Sequence, residues 1–365
     1  MAGVKSKGSR DLKNLRTRID AIDVRLQALI TRRARLAQQV ATVKRARSTG
    51  PALYYRPERE AEVLRKVRAR HEGPLTERDM TRLFREIMSA CLAAEGPLVV
   101  AFLGPAGTYT EQAAFKHFGK AVTASPCSSI DAVFQAVESG SAGFGIVPVE
   151  NSAEGAVTYT LDRFVQSPLR ICGEVELRVR HALLGHEGAA VRTIVAHPQA
   201  LAQCRRWLDQ HFPKARRVAC ASNGEAAERA ARQRGLAAIA SRTTAAVYGL
   251  DLLATGIEDE PNNTTRFLVI GEQDPGRTGT DKTTLLLGAA NRPGALAALL
   301  RPLARRNISM SRIESRPARQ GLWEYVFFLD IEGHVLDAPI AEALRELERE
   351  VAFFKWLGSY PRAQI

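Results

Sequence analysis

The 365-residue sequence predicts three folded blocks of different class in series: an all-α block of three helices, an α/β block, and a closing α+β module of βαββαβ order. Three observations predict it. Apolar residues recur at 3-4 spacing through the first 95 residues, short apolar runs then alternate with helical patterns to about residue 271, and a shorter strand and helix series ends the chain. The length suits two or three domains, at roughly 100 to 200 residues each.

The first helix starts its seam at Leu12. Apolar residues at 12, 15, 19, 22, 26, 29, 36, 40 and 43 predict one continuous helix to about Arg47. Ser48-Thr49-Gly50-Pro51 is a breaker, Pro57 opens a second helix to about His71, and Gly73-Pro74 breaks again. Thr76, three residues before Asp79, caps a third helix over 77–94, and Gly96-Pro97 ends the block. From residue 98 the runs LVVAFLG, TEQAAFKHF, SIDAVFQAVESG, FGIVPVEN, IVAHPQ and AAIAS predict alternating strands and helices around a mainly parallel sheet. EQDPGRTGTD, 272–281, is a linker. Strand KTTLLLG, helix PGALAALLRPLARR, strands ISMSRIESRP and WEYVFFLDI, helix APIAEALRELERE and strand AFFKWLG follow. The expected domains are 8–95, 98–272 and 282–363.

Composition narrows the function classes. Apolar residues at 45% and charged residues at 25% are the balance of a globular chain, which excludes wholesale disorder. The apolar run 98–103 is far short of the ~18 to 20 residues of a membrane span, so no membrane partner is expected. The basic start, MAGVKSKGSRDLKN, has no apolar h-region behind it and does not read as a secretory signal. Five cysteines, at 91, 127, 172, 204 and 220, form no C-x-x-C pair and suit buried thiols in a reducing, cytoplasmic compartment. The histidines at 117, 181, 186, 197, 211 and 334 show no metal spacing, so neither metal nor cofactor is expected.

The net charge of +13 is local. Residues 1–95 carry 22 Lys and Arg against 11 Asp and Glu, whereas the remaining 270 carry 30 against 28. A phosphate-binding arm, a solvated helix surface and a holder of small anions are the three readings of that count. Position helps separate them. Arg33 falls on the apolar seam, where an unpaired charge costs several kcal/mol, and therefore wants an anion. Lys44 is about 16 Å further along and about 20° round, on the same side. Arg16 lies roughly 25 Å back and about 260° round, so if it serves the same ligand a second chain supplies it, in an intertwined helical dimer.

The series LRTRID (15–20), RRARLAQQVATVK (32–44), RPEREAEVL (56–64) and RLFREIMSACLAAE (82–95) resembles the all-helical chorismate mutase domain. The resemblance implies that Arg16 of a partner chain, Arg33, Lys44 and Arg59 clamp the carboxylates and ether oxygen of chorismate. It also implies that Glu60 accepts the ring hydroxyl and that Cys91 and Glu95 complete the pocket. The rearrangement is pericyclic, so holding the reactive conformer and stabilising the ether oxygen is the task. Arg56 stands where an aspartate often lies. Glu95 stands where many members have glutamine, so it is expected to act protonated.

Gly104-Pro105-Ala106-Gly107-Thr108-Tyr109-Thr110 is neither a P-loop nor a dinucleotide fingerprint; alone it reads as a tight turn whose helix-start amides could hold a carboxylate. With VPVENSAEGAV (147–157), AHPQALAQC (196–204), SNGEAA (222–227) and NTTRFLVI (263–270) it is similar to prephenate dehydratase, whose fold is α/β, two-lobed and like a periplasmic binding protein. The resemblance makes Thr265 the proton donor to the departing hydroxyl. Thr108, Glu150, Asn151, Ser152, Gln199, Ser222, Asn223, Arg266 and Phe267 are then the substrate-binding set. Tyr109-Thr110 replaces the usual Phe-Ser.

RPGAL (292–296) and ESRP (314–317) resemble the ACT regulatory domain. They imply L-phenylalanine as effector, held by Gly294, Ala295, Leu296, Glu314, Ser315, Arg316 and Pro317. Together the three resemblances imply a bifunctional chorismate mutase/prephenate dehydratase acting on chorismate and prephenate, as a homodimer or paired dimers, with no nucleic acid partner. The rival class is an amino-acid-sensing binding or regulatory protein with a basic helical arm.

Overall fold

A computed structural model describes residues 2–47, 55–289, 292–317 and 325–363. The breaker at 48–51 and the start of WEYVFFLDI at 323–324 lie outside the described residues. Two compact units are present, one of Met1–Tyr55, Val67–Leu98 and Gly119–Val122, the other of Arg56–Lys66, Val99–Phe118 and Thr123–Ile365.

In the first unit α1 (Ala2–Arg47) begins ten residues before the apolar seam does. The second helix, α2 (Pro57–Ala69), is divided between the units, and α3 (Glu77–Glu95) is capped by Thr76, whose hydroxyl accepts the Asp79 amide at 3.1 Å. Gln38 and Arg45 of α1 donate to the carbonyls of Ala94 and Glu95 at the end of α3. Ala41, Ser89 and Cys91 are buried in this unit, but the seam of α1 is not covered: Leu12, Leu15, Ile19, Ile22, Leu26 and Leu29 are each half or more exposed.

The second unit starts with β1 (Val99–Leu103), α4 (Tyr109–Phe118), β2 (Thr123–Cys127), α5 (Ile130–Glu138), β3 (Phe144–Asn151), β4 (Gly155–Ala156), α6 (Thr158–Gln166) and β5 (Arg170–Arg178). The chain crosses to a second sheet through β6 (Ala182–Gly185), β7 (Thr193–Ala196), α7 (Pro198–Gln203), α8 (Arg205–His211), β8 (Arg216–Ala219), α9 (Asn223–Arg232), β9 (Leu236–Ala240), α10 (Arg242–Tyr248) and β10 (Asp251–Thr255). It then returns with β11 (Thr264–Gly271). The sheet orders are β2-β1-β3-β11-β5, with β4 beside β3, and β10-β6-β9-β7-β8. The mainly parallel arrangement expected from alternation is thus corrected to two sheets that are both mixed. The double crossing is the reason: β11 inserts between β3 and β5 antiparallel to both, and β6 pairs antiparallel with β9 and β10.

The closing module has β12 (Asp281–Ala289), α11 (Ala295–Ala304), β13 (Met310–Pro317), β14 (Tyr325–Glu332), α12 (Ala338–Glu350) and β15 (Phe353–Pro361), with sheet order β13-β14-β12-β15. Strand alternation explains why β12 is buried along nearly its whole length. Leu285 and Leu287 face α11 and α12, packing on Leu299, Leu303 and Leu344, while Leu286 faces the other way. There Leu286, Phe328, Leu357 and Tyr360 share a core with Ile171, Leu268 and Ile270 of β5 and β11. At about 1.5 to 3 kcal/mol per buried large side chain, this shared layer ties the module to the first sheet.

Candidate functional site

In the helical unit Arg16 of α1 is exposed, whereas Arg33 and Lys44 are half-buried. Both act electrostatically on Glu95, at the end of α3 and one turn beyond buried Cys91. Burial pushes the Glu95 carboxyl up, Lys44 and Arg33 pull it down, and the balance leaves it above the ordinary glutamate value. Its Oε2 is buried with no hydrogen-bond partner among the described residues. A raised pKa widens the pH range over which the carboxyl keeps its proton and can donate a hydrogen bond. In the other unit, Arg59 of α2 pairs with Glu62, and hydrogen bonds from Lys66 and then Arg59 hold the Glu62 carboxyl down at about 2. Glu60, on the same helix, is half-buried, and Arg56 lies 3.6 Å from Glu58.

In the α/β region the expected residues collect at one kind of place. Thr108 follows β1, Asn151 ends β3 and Ser152 succeeds it, Gln199 follows β7, and Ser222 and Asn223 follow β8. β1 runs parallel to β3, and β7 parallel to β8 and β9, so these are carboxyl ends of parallel strands, where open α/β sheets bind ligands. Thr265 begins β11, which runs antiparallel to β3, and so pairs with Asn151.

The Asn151 amide Nδ2 donates to Thr265 Oγ1 and to Asn263 Oδ1, both at 2.8 Å, and Ser152 Oγ accepts the Thr264 amide at 2.9 Å. With its oxygen already accepting from Asn151, the threonine hydroxyl is free to aim its own proton away from the cluster. Across the second sheet, Asn223 Oδ1 accepts the His197 amide at 3.0 Å, Ser222 caps α9, and the Gln199 amide donates to His197 Nδ1. The loop after β1 bridges the two sheets' helices. Thr244 Oγ1 donates to the Gly107 carbonyl at 2.6 Å, Tyr248 to the Ala106 carbonyl at 2.9 Å, and Gln112 Nε2 to Ser241 Oγ at 2.7 Å. Gly224 is required by this closeness, since a Cβ there would stand 2.6 Å from Pro105 Cγ.

Two of the expected cleft residues are placed elsewhere. Glu150 and Arg266 face each other across β3 and β11, one position from Asn151 and Thr265, and alternation turns them to the opposite face. Arg266 donates to Glu174 Oε2 at 2.8 Å, to Asp330 Oδ2 and to Tyr360 OH at 3.0 Å, and Glu150 Oε2 lies 3.0 Å from Arg312 Nε. Lys282 also donates to Glu174, at 2.8 and 3.0 Å, so two buried cations meet two buried carboxylates. Burial alone would push Asp330 up, but Arg266 and the Thr284 hydroxyl outweigh it and hold the carboxyl below the usual aspartate range. Phe267 is buried on the Thr265 side of the alternation.

Sequence reasoning passed over Asn263, Ser241, Gln112, Tyr248 and His181. Asn263 had a signal, being two residues before Thr265 and so on its face of the extended chain. Ser241 had one also, as the hydroxyl closing the AAIAS strand. His181, which shares hydrogen bonds with Tyr109 and Gln203, had none. Burial pulls its imidazole below the ordinary value, and burial pushes the Cys172 thiol up to about 12. In the closing module, Gly294 takes φ +80 before α11, Leu296 is exposed, Ser315 and Pro317 lie at exposed positions of β13, and Arg316 pairs with Asp162 at 2.9 Å. Glu314 is half-buried beside Arg312, and Ala295 is half-buried at the helix start.

Comparison with known proteins covers nearly the whole chain. Residues 15–96 match the family of chorismate mutase type II, 100–275 that of prephenate dehydratase, and 283–349 the ACT domain. The bifunctional chorismate mutase/prephenate dehydratase of Stutzerimonas stutzeri is 51% identical over 359 residues, covering 97% of this chain and 98% of its own. The crystal structure of prephenate dehydratase from Arthrobacter aurescens in complex with L-Phe has a TM-score of 0.68 at 38% identity, over 73% of this chain and 90% of that one. GqqA, described as a novel type of quorum-quenching acylase, has a TM-score of 0.67 at 32% identity over 72% of this chain and 98% of its own.

Proposed function

The chain belongs to the family of bifunctional chorismate mutase/prephenate dehydratases, and from that premise we propose how its residues divide two consecutive reactions between them. The enzyme rearranges chorismate to prephenate and then converts prephenate to phenylpyruvate, with loss of water and carbon dioxide. The proposed domains are 8–95, 98–272 and 282–363.

For the first reaction, Arg33 and Lys44 neutralise the substrate carboxylates and protonated Glu95 donates to the ether oxygen as negative charge develops there. Cys91 lies one turn from Glu95 and shapes the pocket. Arg16 comes from a second chain. The exposed seam of α1 supports that assignment, because pairing two such helices covers the apolar stripe and carries Arg16 to the partner's site. The working form is then a homodimer, or dimers paired, in the cytoplasm.

For the second reaction, Thr265 protonates the departing ring hydroxyl while carbon dioxide leaves. A threonine is a weak acid. Donation from Asn151 Nδ2 to its oxygen polarises the hydroxyl and steers its proton outward, and this contact is the observation that carries the assignment. Thr108, Ser152, Gln199, Ser222 and Asn223, at the strand ends, bind the substrate's carboxylates and hydroxyl, and Phe267 backs the cleft, which lies between two lobes of periplasmic-binding-protein type. L-Phenylalanine inhibits by binding the last module at 294–296 and 314–317, a reading supported by the ACT match and the relative crystallised with L-Phe. The experiment is direct. Purified chain incubated with chorismate should remove its ultraviolet absorbance and yield phenylpyruvate, less of it when L-phenylalanine is added. An unchanged spectrum would refute the reading and favour the sensing-protein class.

A further inference from the structure

The residues beside the Asn151–Thr265 pair reach into the closing module. Glu150 and Arg266 occupy adjacent register positions on β3 and β11, and both leave the pair's face for that of the C-terminal sheet. Arg266 is fixed there by Glu174 and Asp330. Glu150 is held less fully: its Oε2 is 3.0 Å from Arg312 Nε and 4.0 Å from Arg266 Nη1. Arg312 lies on β13, two residues before Glu314, and its Nη2 is 3.8 Å from Glu314 Oε2. That Nη2 is buried and has no hydrogen bond among the described residues, so the guanidinium has spare donor capacity toward Glu314.

Glu314, Arg312, Glu150 and Arg266 therefore alternate in sign along one line, from the segment 314–317 to the strand that carries Thr265. One guanidinium stands between two carboxylates at unequal distances. A ligand that changes Glu314's share of Arg312 changes Glu150's share in the opposite sense, and Glu150 is bonded through the backbone to Asn151. Coupling is carried by an element whose equilibrium both sites bias, and an arginine shared between two carboxylates can be such an element.

Resting on the reading of Thr265 as proton donor and of 314–317 as effector segment, we infer that the Glu150–Arg312 pair is the link by which the C-terminal sheet sets the geometry of Asn151 and Thr265. Glu150 is thus a positioning residue, not a group that touches prephenate. The assignment differs from a cleft role in what it predicts. A cleft carboxylate would act on substrate affinity; a positioning residue acts on turnover and on the response to effector.

The test uses full-length Glu150→Gln, Arg312→Met, Arg312→Lys and the Glu150→Gln/Arg312→Met double variant, with the mutase rate as the check on folding. Each of the two single breaks should lower dehydratase kcat roughly tenfold with KM for prephenate within about twofold, the order of coupling between sites. Each should also blunt inhibition by saturating L-phenylalanine while equilibrium dialysis shows the amino acid still bound. Arg312→Lys, which keeps the charge, should restore part of both. The double variant should be no worse than either single one, since both remove the same contact. A large rise in KM in Glu150→Gln, additive losses in the double variant, or wild-type inhibition in Arg312→Met would overturn the link. A wild-type chain that dehydrates prephenate but ignores L-phenylalanine would instead overturn the effector reading, and the kcat and KM pattern would still decide the positioning role.

Discussion

Asn151 and Thr265 face each other across β3 and β11, with the amide nitrogen 2.8 Å from the threonine oxygen and the same nitrogen 2.8 Å from Asn263 Oδ1. The amide is nearly fully buried and committed as a donor, so the direction of the contact is fixed: nitrogen gives, hydroxyl oxygen receives. A weakly acidic hydroxyl is thereby oriented by a neighbour that cannot take its proton.

Replacing that donor tests the arrangement. Asn151→Ala should lower dehydratase kcat by roughly a hundredfold or more, in the range of general acid catalysis, with the mutase rate unchanged. Asn151→Asp is nearly isosteric but presents an acceptor, which would draw the Thr265 proton inward. It should be no more active than the alanine variant, and steady-state kinetics on prephenate showing near-wild-type turnover in Asn151→Asp would remove the donor role.

The role proposed for Glu95 predicts a mutase rate that depends on pH. Its carboxyl is raised above the ordinary value by burial, against the pull of Lys44 and Arg33, and in the proposed role only its protonated form donates to the ether oxygen. The mutase rate should therefore be highest below this raised pKa and fall as pH rises through it. Glu95→Gln, a permanent donor, should stay flat to higher pH while dehydratase activity is untouched. Superimposable mutase pH profiles for the two proteins would rule the protonated form out.

Much of this was legible in the sequence, and the exceptions have one physical origin. The ends of α2 and α3, the Thr76 cap and the seam on α1 follow from periodicity and capping, which are local. Thr265, Arg266 and Phe267 are adjacent in sequence, and adjacency suggested one shared site. A strand sends alternate side chains to opposite faces, so the arginine parted from the threonine once β11 lay between β3 and β5 with a second sheet on its back. Glu150 parted from Asn151 in the same way. Which face of a central strand meets the cleft depends on what packs behind it, and neither the two-sheet crossing nor the docking of the closing module has a local signature. Asn263 and Ser241 were readable from strand position, whereas His181 depended on distant partners.

The buried cluster between the first sheet and the closing module should show in the stability curve. Asp330 sits below the ordinary aspartate range in the folded chain, because Arg266 and Thr284 outweigh the cost of burial. A depressed carboxyl adds stability above its unfolded pKa and loses it as pH falls through the folded value. Asp330→Asn should cost about 3 to 5 kcal/mol at neutral pH, where it leaves Arg266 short of a carboxylate. The difference in melting temperature between wild type and Asp330→Asn should narrow as the solution is acidified below the ordinary aspartate range. A gap that widens in acid would contradict this account.

The proposal that Arg16 comes from a partner chain can be tested by mixing. Arg16→Ala and Lys44→Ala homodimers should each lack mutase activity. After subunit exchange each heterodimer regains one intact site of its two, so an equal, fully exchanged mixture should recover about a quarter of wild-type activity. Exchange confirmed by native mass spectrometry without any recovery would place Arg16 outside the site.

The central claim is that two reactions run at two separate sites on one chain, and one pair of variants addresses it most directly. Arg33→Ala and Thr265→Ala, each shown to be folded by circular dichroism, are assayed with chorismate and with prephenate. Arg33→Ala should leave chorismate unconsumed yet convert added prephenate to phenylpyruvate at close to the wild-type rate. Thr265→Ala should consume chorismate normally and accumulate prephenate. Loss of both activities together in either folded variant would contradict the claim.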